Sequence, residues 1–437
     1  MKKFFFMCWL CGMSVVYGDV ALDINQGQVK PFPLSILAFK GNAKEAQSIR
    51  SVVVQDLGGS GFIEVLDQNS YMQPDLALQI TPRFEDWKLI NSRGLVVGEV
   101  LQNGHSLTIK FKVWDVADQL LLAEFEFKTE EKNWRRAAHL MANKIYKVVT
   151  GEEGYFDTRI VYIAEHGPQK KRIKRLAIMD YDGAKHKYLS DGHESIVTPR
   201  FSPSSQTIVY MSYRENLKQA RVYKLDLETG KMSLVGTFDG ITYAPRFSPD
   251  GSKIIMSRAY KGSSNLYEVS LNTQHSKRLT HEDVIDTSPC YSPDETQIVF
   301  NSDRSGTRQL YVMDKNGKNV RRISFGGGMY ATPVWSPDGQ WIAFTKVEKG
   351  QFYIGLMRPD GSEERLIATG FLVEGPTWAP NSHTLAFYNQ ERWGKHSTGG
   401  KASLYTIHIS GRHKKIIKTP EDATDPAWSP SLPVDQL

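Results

Sequence analysis

The sequence predicts a six-bladed β-propeller preceded by a separate N-terminal α/β domain. Two observations predict the propeller: one proline-rich motif recurs six times at a nearly constant interval, and each interval contains several short apolar segments. A third observation predicts the other domain. The residues before the first motif lack the repeat and mix helical with strand-like patterns.

The repeated motif is Pro-x-aromatic-Ser-Pro, with Ala379 in place of serine in its fifth copy. Its closing prolines are 46, 44, 44, 43 and 50 residues apart. A period of this size is typical of repeat arrays and propellers. The six copies occupy residues 199–203, 245–249, 289–293, 333–337, 376–380 and 426–430.

One repeat, residues 289–324, shows what each unit contains. Residues 298–300 are apolar and mostly β-branched, residues 309–313 are mostly apolar, and residues 320–323 begin and end with β-branched residues, with turn or loop residues between these segments. With the motif segment they make four short strands in about 44 residues. Four strands per repeat indicate a propeller blade.

The number of blades follows from both ends of the repeat region. Complete blades start near residues 196, 242, 286, 330 and 373. Before them, residues 159–189 supply three strands without a first strand, and after them residues 425–430 supply a first strand alone. We therefore expect a sixth blade built from both fragments, in which the C-terminal strand closes the ring and leaves no open edge.

The aromatic residue of each motif is expected to pack between blades, because its recurrence already has this packing explanation. A role in stacking on ligands is the weaker interpretation. The six aromatic residues are Phe201, Phe247, Tyr291, Trp335, Trp378 and Trp428.

The N-terminal domain, residues 19–155, is predicted as a mixed α/β layer. Residues 43–57 have helical periodicity and end at two glycines, and residues 131–149 form a second helix that ends at Gly151. Residues 94–101, 107–114 and 120–127 read as strands. The buried side of the second helix is assigned to Trp134, Ala138, Met141, Ile145 and Val148.

Residues 1–18 have the features of a secretory signal peptide. Lys2 and Lys3 precede an apolar run over residues 4–16, and Gly18 offers a cleavage site. The run is shorter than the ~20 residues that span a membrane, so we expect export without membrane insertion. Cleavage removes two lysines and two of the three cysteines. The mature chain then has a net charge of +4 and only Cys290, which disfavours nucleic-acid binding and excludes an intramolecular disulfide.

Motifs of common enzyme classes are missing from the sequence. It has no Gly-x-Ser-x-Gly elbow, no His-Glu-x-x-His pair and no phosphate-binding loop. A propeller without a hydrolase domain favours a binding module that needs no cofactor and no metal. A peptidase-associated propeller and a glycan-binding propeller stay open as alternatives.

The best candidate binding surface is one mouth of the propeller channel, where the residues just before each motif form a ring. Its mixture of aromatic, small and acidic side chains suits a protein loop or peptide, with tyrosines as anchors. Asp286, Glu374 and Asp425 are candidates for holding a cation there, and an inert solvated rim is the competing interpretation. The predicted rim consists of Ile196, Thr198, Thr242, Tyr243, Ala244, Asp286, Thr287, Ser288, Tyr330, Ala331, Thr332, Glu374, Thr424 and Asp425.

Three further segments carry hypotheses. The long loop 389–403 contains Trp393 and His396, and basic clusters at 170–175 and 412–418 fit either anionic envelope surfaces or solvated hairpins. The mature N-terminus alternates apolar with other residues, which suits either a strand added to a partner sheet or a first strand of its own domain. This segment is Asp19, Val20, Ala21, Leu22, Asp23, Ile24 and Asn25.

The chain resembles the TolB family, the periplasmic propeller proteins of the Tol–Pal system in Gram-negative bacteria. The resemblance rests on residues 86–90, 94–98 and 111–115, on the Ser-Pro-Asp-Gly blades and on Ala-Trp-Ser-Pro at 427–430. It implies a non-enzymatic scaffold that is monomeric within its complexes. The propeller face would bind the lipoprotein Pal, and residues 19–25 would bind the C-terminal domain of TolA. It further implies a role in outer-membrane integrity and in cell division.

Overall fold

The computed structural model describes residues 30–168, 171–213, 220–392 and 400–433. These residues form two compact units, of which the first ends at Glu153 and the second begins at Gly154. Each unit is described by itself.

The N-terminal unit is a mixed sheet with helices, as predicted. Strands β1, β3 and β4 pair in parallel, and β4, β5 and β6 form an antiparallel meander, which gives the order β3-β1-β4-β5-β6 with β2 beside β4. The strands are β1 (Phe32–Ile36), β2 (Lys40–Gly41), β3 (Ile63–Val65), β4 (Gly94–Asn103), β5 (Ser106–Asp115) and β6 (Leu120–Glu130). The helices are α1 (Ala43–Gly59), α2 (Phe84–Leu89) and α3 (Trp134–Thr150).

Local chemistry sets the ends of the two long helices. The side chain of Asn42 accepts a hydrogen bond from the Lys44 N–H at the start of α1, and Gly151 ends α3 in a left-handed conformation with φ 78°. The predicted face of α3 needs one correction. Val149 is buried where the prediction had Val148, and Trp134 is only half-buried.

The sequence analysis missed β1, β2, β3 and α2. Helix α2 contributes Trp87, which is fully buried and meets the ring of Tyr71 edge-on at 5.2 Å. These two rings pack with Leu95 and Val97 of β4 and so cover part of one sheet face. Through Trp87, residues 86–90 therefore contribute to the core of this unit.

The second unit consists of six four-stranded antiparallel sheets, which confirms the predicted propeller. Five blades follow one another along the chain. They are blade 1 with β10 (Ser195–Phe201), β11 (Thr207–Tyr213), β12 (Arg221–Asp226) and β13 (Met232–Leu234); blade 2 with β14 (Ile241–Phe247), β15 (Lys253–Tyr260), β16 (Ser263–Ser270) and β17 (Ser276–Arg278); blade 3 with β18 (Asp286–Tyr291), β19 (Gln297–Ser302), β20 (Gln309–Asp314) and β21 (Arg321–Arg322); blade 4 with β22 (Met329–Trp335), β23 (Ile342–Glu348), β24 (Gln351–Met357) and β25 (Arg365–Gly370); and blade 5 with β26 (Leu372–Trp378), β27 (Thr384–Gln390), β28 (Ala402–His408) and β29 (Lys415–Ile417).

Blade 6 joins the two ends of the propeller sequence, as predicted. The C-terminal strand pairs with the first propeller strand, so that Trp428 lies opposite Ile160. The first strands of neighbouring blades contact one another around the whole ring, which makes them the innermost strands. Blade 6 has the order β30 (Asp422–Trp428), β7 (Arg159–His166), β8 (Ile173–Asp180) and β9 (Lys187–Tyr188).

The serine of the motif closes the first hairpin of a blade. The Ser292 hydroxyl donates to the Asp294 carboxylate at 2.6 Å and accepts the backbone N–H of Gln297 at 2.9 Å. In blade 5, where alanine replaces this serine, the Asn381 side chain accepts the Thr384 N–H at 3.1 Å instead. The motif therefore encodes a turn, and its aromatic residues are buried as predicted.

Candidate functional site

Each innermost strand of the propeller contains a bulge at the same place. The pairing register with the second strand shifts there in all six blades. The residue before the motif proline adopts a left-handed conformation, which costs a non-glycine residue about 1 kcal/mol. These residues are Thr198, Ala244, Ser288, Thr332, Gly375 and Asp425, with φ between 47° and 65°.

The predicted rim residues beside this bulge differ in how deeply they are buried. In five of the six strands, the two residues before the motif proline are both half-buried, and in blade 5 the second of them, Gly375, is buried. The residue before this pair is buried within the propeller in every blade. Four of the predicted rim residues, Ile196, Thr242, Asp286 and Tyr330, occupy this position, so the structure buries them inside the propeller instead of exposing them at the mouth.

Several contacts hold the side chain of Tyr330 in its buried position. It is 0% exposed, and its hydroxyl donates to both oxygens of Glu364 at 2.8 and 2.9 Å. The ammonium of Lys346 lies 4.9 Å from the ring centre and 3.0 Å from the same carboxylate. This set of contacts fixes the tyrosine inside blade 4.

The three acidic residues proposed for a cation lie in different surroundings. Both carboxylate oxygens of Asp286 accept hydrogen bonds from Arg304 at 3.1 Å, so this group already has a counter-ion. Glu374 accepts the Tyr388 hydroxyl at 2.9 Å. Burial and the neighbouring Asp425 carboxylate raise the pKa of Glu374. Among the described residues, no metal-like cluster contains any of the three.

The exposed part of this mouth begins one residue earlier than the sequence analysis assigned. Ile241, Ile285 and Met329 come just before the buried position in three consecutive blades and are 41%, 39% and 45% exposed. Tyr260 is exposed at the end of β15, one residue after Ala259, which pairs with Ile241. The repeated apolar position was a usable signal, but Ser195 and Asp422 interrupt it in blades 1 and 6.

A shallow cavity of about 290 Å³ lies on this face between blades 2 and 3. Ile285 and Tyr260 contribute apolar walls. At its edge, the hydroxyl groups of Tyr243 and Ser264 share a hydrogen bond of 2.7 Å. Exposed apolar side chains beside a cavity with polar edges suit the docking of a protein segment. We call Ile241, Tyr260, Ile285 and Met329 the apolar mouth.

Two side chains of the first basic cluster form ion pairs with acids of blade 6. Arg172 contacts Asp422 at 2.6 Å, and Lys174 contacts Glu165 at 3.1 Å. In the second cluster, the Lys414 ammonium lies 4.6 Å from the Tyr405 ring centre. These contacts favour the interpretation of both clusters as ordinary hairpin surface.

Several predicted segments fall outside the described residues. These are the signal peptide, the segment 19–25, Lys170, and Trp393 and His396 in the long loop of blade 5. Within the described ranges, no helix has both the length and the apolar character to cross a membrane.

The comparisons with known proteins cover both units. Residues 20–122 match the family model of the TolB amino-terminal domain, and residues 146–432 match that of the TolB beta propeller domain. The Tol-Pal system protein TolB of Paramagnetospirillum magneticum is 53% identical over 420 residues, which are 95% of this chain and 94% of that protein. The chain belongs to the TolB family.

Solved structures agree with this assignment. The crystal structure of TolB from Acinetobacter baumannii matches with a TM-score of 0.82 and 26% identity, over 92% of this chain and 97% of that chain. The hydrazine synthase of Kuenenia stuttgartiensis matches with a TM-score of 0.52 and 12% identity, over 64% of this chain and 47% of that one. The second likeness shows a shared fold alone. As a TolB family member, the chain is a propeller protein of the Tol–Pal system.

Proposed function

We propose that this protein is a non-enzymatic periplasmic scaffold that binds the lipoprotein Pal through the apolar mouth of its propeller. The observation that supports this most is the presence of three exposed apolar residues at equivalent positions of consecutive blades. Water-exposed apolar side chains around a cavity are unfavourable unless a partner covers them. The remaining rim residues would supply polar contacts around this centre.

Single substitutions in the apolar mouth test the proposal. Ile285→Glu and Met329→Glu place a carboxylate in the proposed contact and should weaken Pal binding about tenfold or more, because central contacts often contribute 1–2 kcal/mol or more. Isothermal titration calorimetry with purified Pal measures the effect. Both residues are exposed in the free protein, so the variants should fold.

The matched control is Ile416→Glu. Ile416 is 51% exposed on the outer strand β29, away from the channel mouth. Its variant should bind Pal like the wild type. If the two mouth variants also bind like the wild type, Pal does not use this surface.

We further propose that residues 19–25 bind TolA by adding a strand to the TolA sheet. Alternating apolar residues at 20, 22 and 24 give such a strand one face to bury against its partner. Deletion of 19–25 should abolish TolA binding in a pull-down and preserve Pal binding, since the deletion leaves the propeller intact. Retained TolA binding would contradict this assignment.

These two binding activities on one chain would link an outer-membrane lipoprotein to TolA in the periplasm. The link accounts for the proposed support of envelope integrity and of constriction at division. Cells with only Ile285→Glu protein should leak periplasmic enzymes and divide in chains, whereas cells with Ile416→Glu protein should not.

A further inference from the structure

The end of the propeller channel opposite the apolar mouth contains a second cavity. Its volume is about 400 Å³, and the C-terminal ends of the innermost strands of all six blades surround it. This size lies within the range of about 300–1,000 Å³ that small-molecule sites occupy. The apolar mouth belongs to the other end of the same strands, so the two surfaces are distinct.

The residue after each motif proline lines this cavity, and two of the six are arginines. Arg200 and Arg246 come from neighbouring blades 1 and 2. The other four blades contribute small or apolar side chains to the same level. These are Cys290, Val334, Thr377 and Ala427. The wall is therefore cationic on one side and mostly apolar on the other.

Among the described residues, neither guanidinium group forms an ion pair, and the Asp425 carboxylate attracts that of Arg200 only from a longer distance. Within the described residues, no carboxylate lies within salt-bridge distance of Arg200 or Arg246. Within the part of the chain that the structure describes, the guanidinium of Arg200 donates only to the carbonyl of Pro199, at 2.6 Å, and that of Arg246 donates to no group. Positive charges held in a recess without a counter-ion are unfavourable.

The electrostatics of the pair agree with this geometry. Burial, together with the charge of Arg246, lowers the pKa of Arg200 to about 10. Burial also lowers the pKa of Arg246. Both groups stay protonated at neutral pH, where they repel each other, and an anion between them would remove that repulsion.

We propose that this cavity binds a small oxyanion, a carboxylate or a phosphate, between Arg200 and Arg246. The planar guanidinium group donates two parallel hydrogen bonds to such anions, and two of them at one site favour an anion with several oxygens. The wall around Val334 and Ala427 accommodates the carbon atoms of an organic anion. This site lies at the opposite end of the channel from the surface proposed for Pal.

Two probes test the site on the whole mature protein: inorganic phosphate and succinate. Each is titrated in a chloride buffer of constant ionic strength, while the melting temperature and the heat of binding are measured. A saturable rise with phosphate alone assigns a phosphate ligand, a rise with succinate alone assigns a carboxylate, and a rise with both assigns a general oxyanion site. No saturable effect of either probe overturns the proposal.

Substitutions locate the binding. Arg200→Gln and Arg246→Gln should each weaken the effective probe about tenfold or more, because each removes charge-assisted hydrogen bonds. Arg308→Gln, which removes an exposed arginine outside the cavity, is the matched control and should bind like the wild type. Arg246→Lys keeps the charge but loses the planar fork, so it should fold and bind more weakly. Unchanged binding in both glutamine variants would also overturn the proposal.

Discussion

The indole Nε1 of Trp428 donates a hydrogen bond to the hydroxyl of Thr158 at 2.8 Å, across 270 residues of sequence. Thr158 directly precedes the first propeller strand, and Trp428 ends the last one. The Thr158 hydroxyl passes the bond on to the carbonyl of Tyr155 at 2.6 Å. Nearly all of the propeller sequence lies between these two side chains, so their contact reinforces the pairing of β30 with β7 that closes the ring.

Two substitutions of Trp428 should destabilise the propeller to different extents. Trp428→Phe keeps an aromatic ring but loses the hydrogen bond, and we expect a loss of about 1 kcal/mol in the free energy of unfolding. Trp428→Ala also loses the packing against Tyr155 and Tyr181, for a total of about 3–5 kcal/mol. Urea denaturation, monitored by far-UV circular dichroism so that the signal does not depend on the tryptophan, measures both losses. Equal stability of the alanine variant and the wild type would show that ring closure does not depend on Trp428.

The closure of the ring could be predicted because it follows from counting the strands. Five full repeats leave three strands at one end and one strand at the other, and an open propeller edge is unfavourable. The orientation of individual rim residues could not be predicted. The bulge at Thr198 and its equivalents inserts one residue, and a shift of one residue moves every side chain to the other face of a strand.

Tyr330 and Ile285 also show that the exposure of a single side chain could not be predicted from the sequence. Tyr330 looks like a ligand anchor in the sequence, but its partner Glu364 is 34 residues away and no local pattern pairs them. Ile285 looks like an ordinary strand residue, yet it is 39% exposed because it lies one position outside the buried register. In the N-terminal unit, β1 and β3 are too short for a periodic signal. Their parallel pairing depends on contacts distant in sequence.

A buried hydrogen bond joins α1 and α3 in the N-terminal unit. Asp56 accepts a hydrogen bond from or shares a proton with Nδ1 of His139 at 2.7 Å, and both residues are almost fully buried. Asp56→Ala should therefore destabilise this unit by about 3 kcal/mol, because it leaves a buried polar ring without this partner. Thermal unfolding measures the change. Asp75 is exposed, so Asp75→Ala serves as the control. Its free energy of unfolding should differ from that of the wild type by less than about 0.5 kcal/mol.

The Ser-Pro-Asp turn of blade 2 should make stability depend on acid pH. Hydrogen bonds from Ser248 and Ser252 lower the pKa of Asp250 to about 2, below its ordinary value of 3.8. A lowered pKa stabilises the folded state above pH 3.8, and this contribution disappears as the pH falls towards 2. Asp250→Asn should thus be less stable than the wild type at pH 7, by less than about 1 kcal/mol since water screens this exposed group. Denaturation curves at pH 7 and pH 2.5 should show that the difference shrinks with acid, and a constant difference would contradict the assignment.

Glu374, in the channel wall, should make the folded state less stable as the pH rises, which is the opposite of the effect of Asp250. Burial and the charge of Asp425 raise its pKa, so the folded state prefers the protonated acid. The stability that this preference contributes is complete below the ordinary pKa of 4.5 and is lost as the pH rises through the raised value. Glu374→Gln removes the unfavourable charge and still accepts the hydroxyl of Tyr388, so it should melt higher than the wild type at pH 8 and equally at pH 4. Melting curves at the two pH values test this, with the exposed Glu363→Gln as the matched control. A lower melting temperature of Glu374→Gln at pH 8 would show instead that the ionised carboxylate stabilises the channel, as it would if it held a cation.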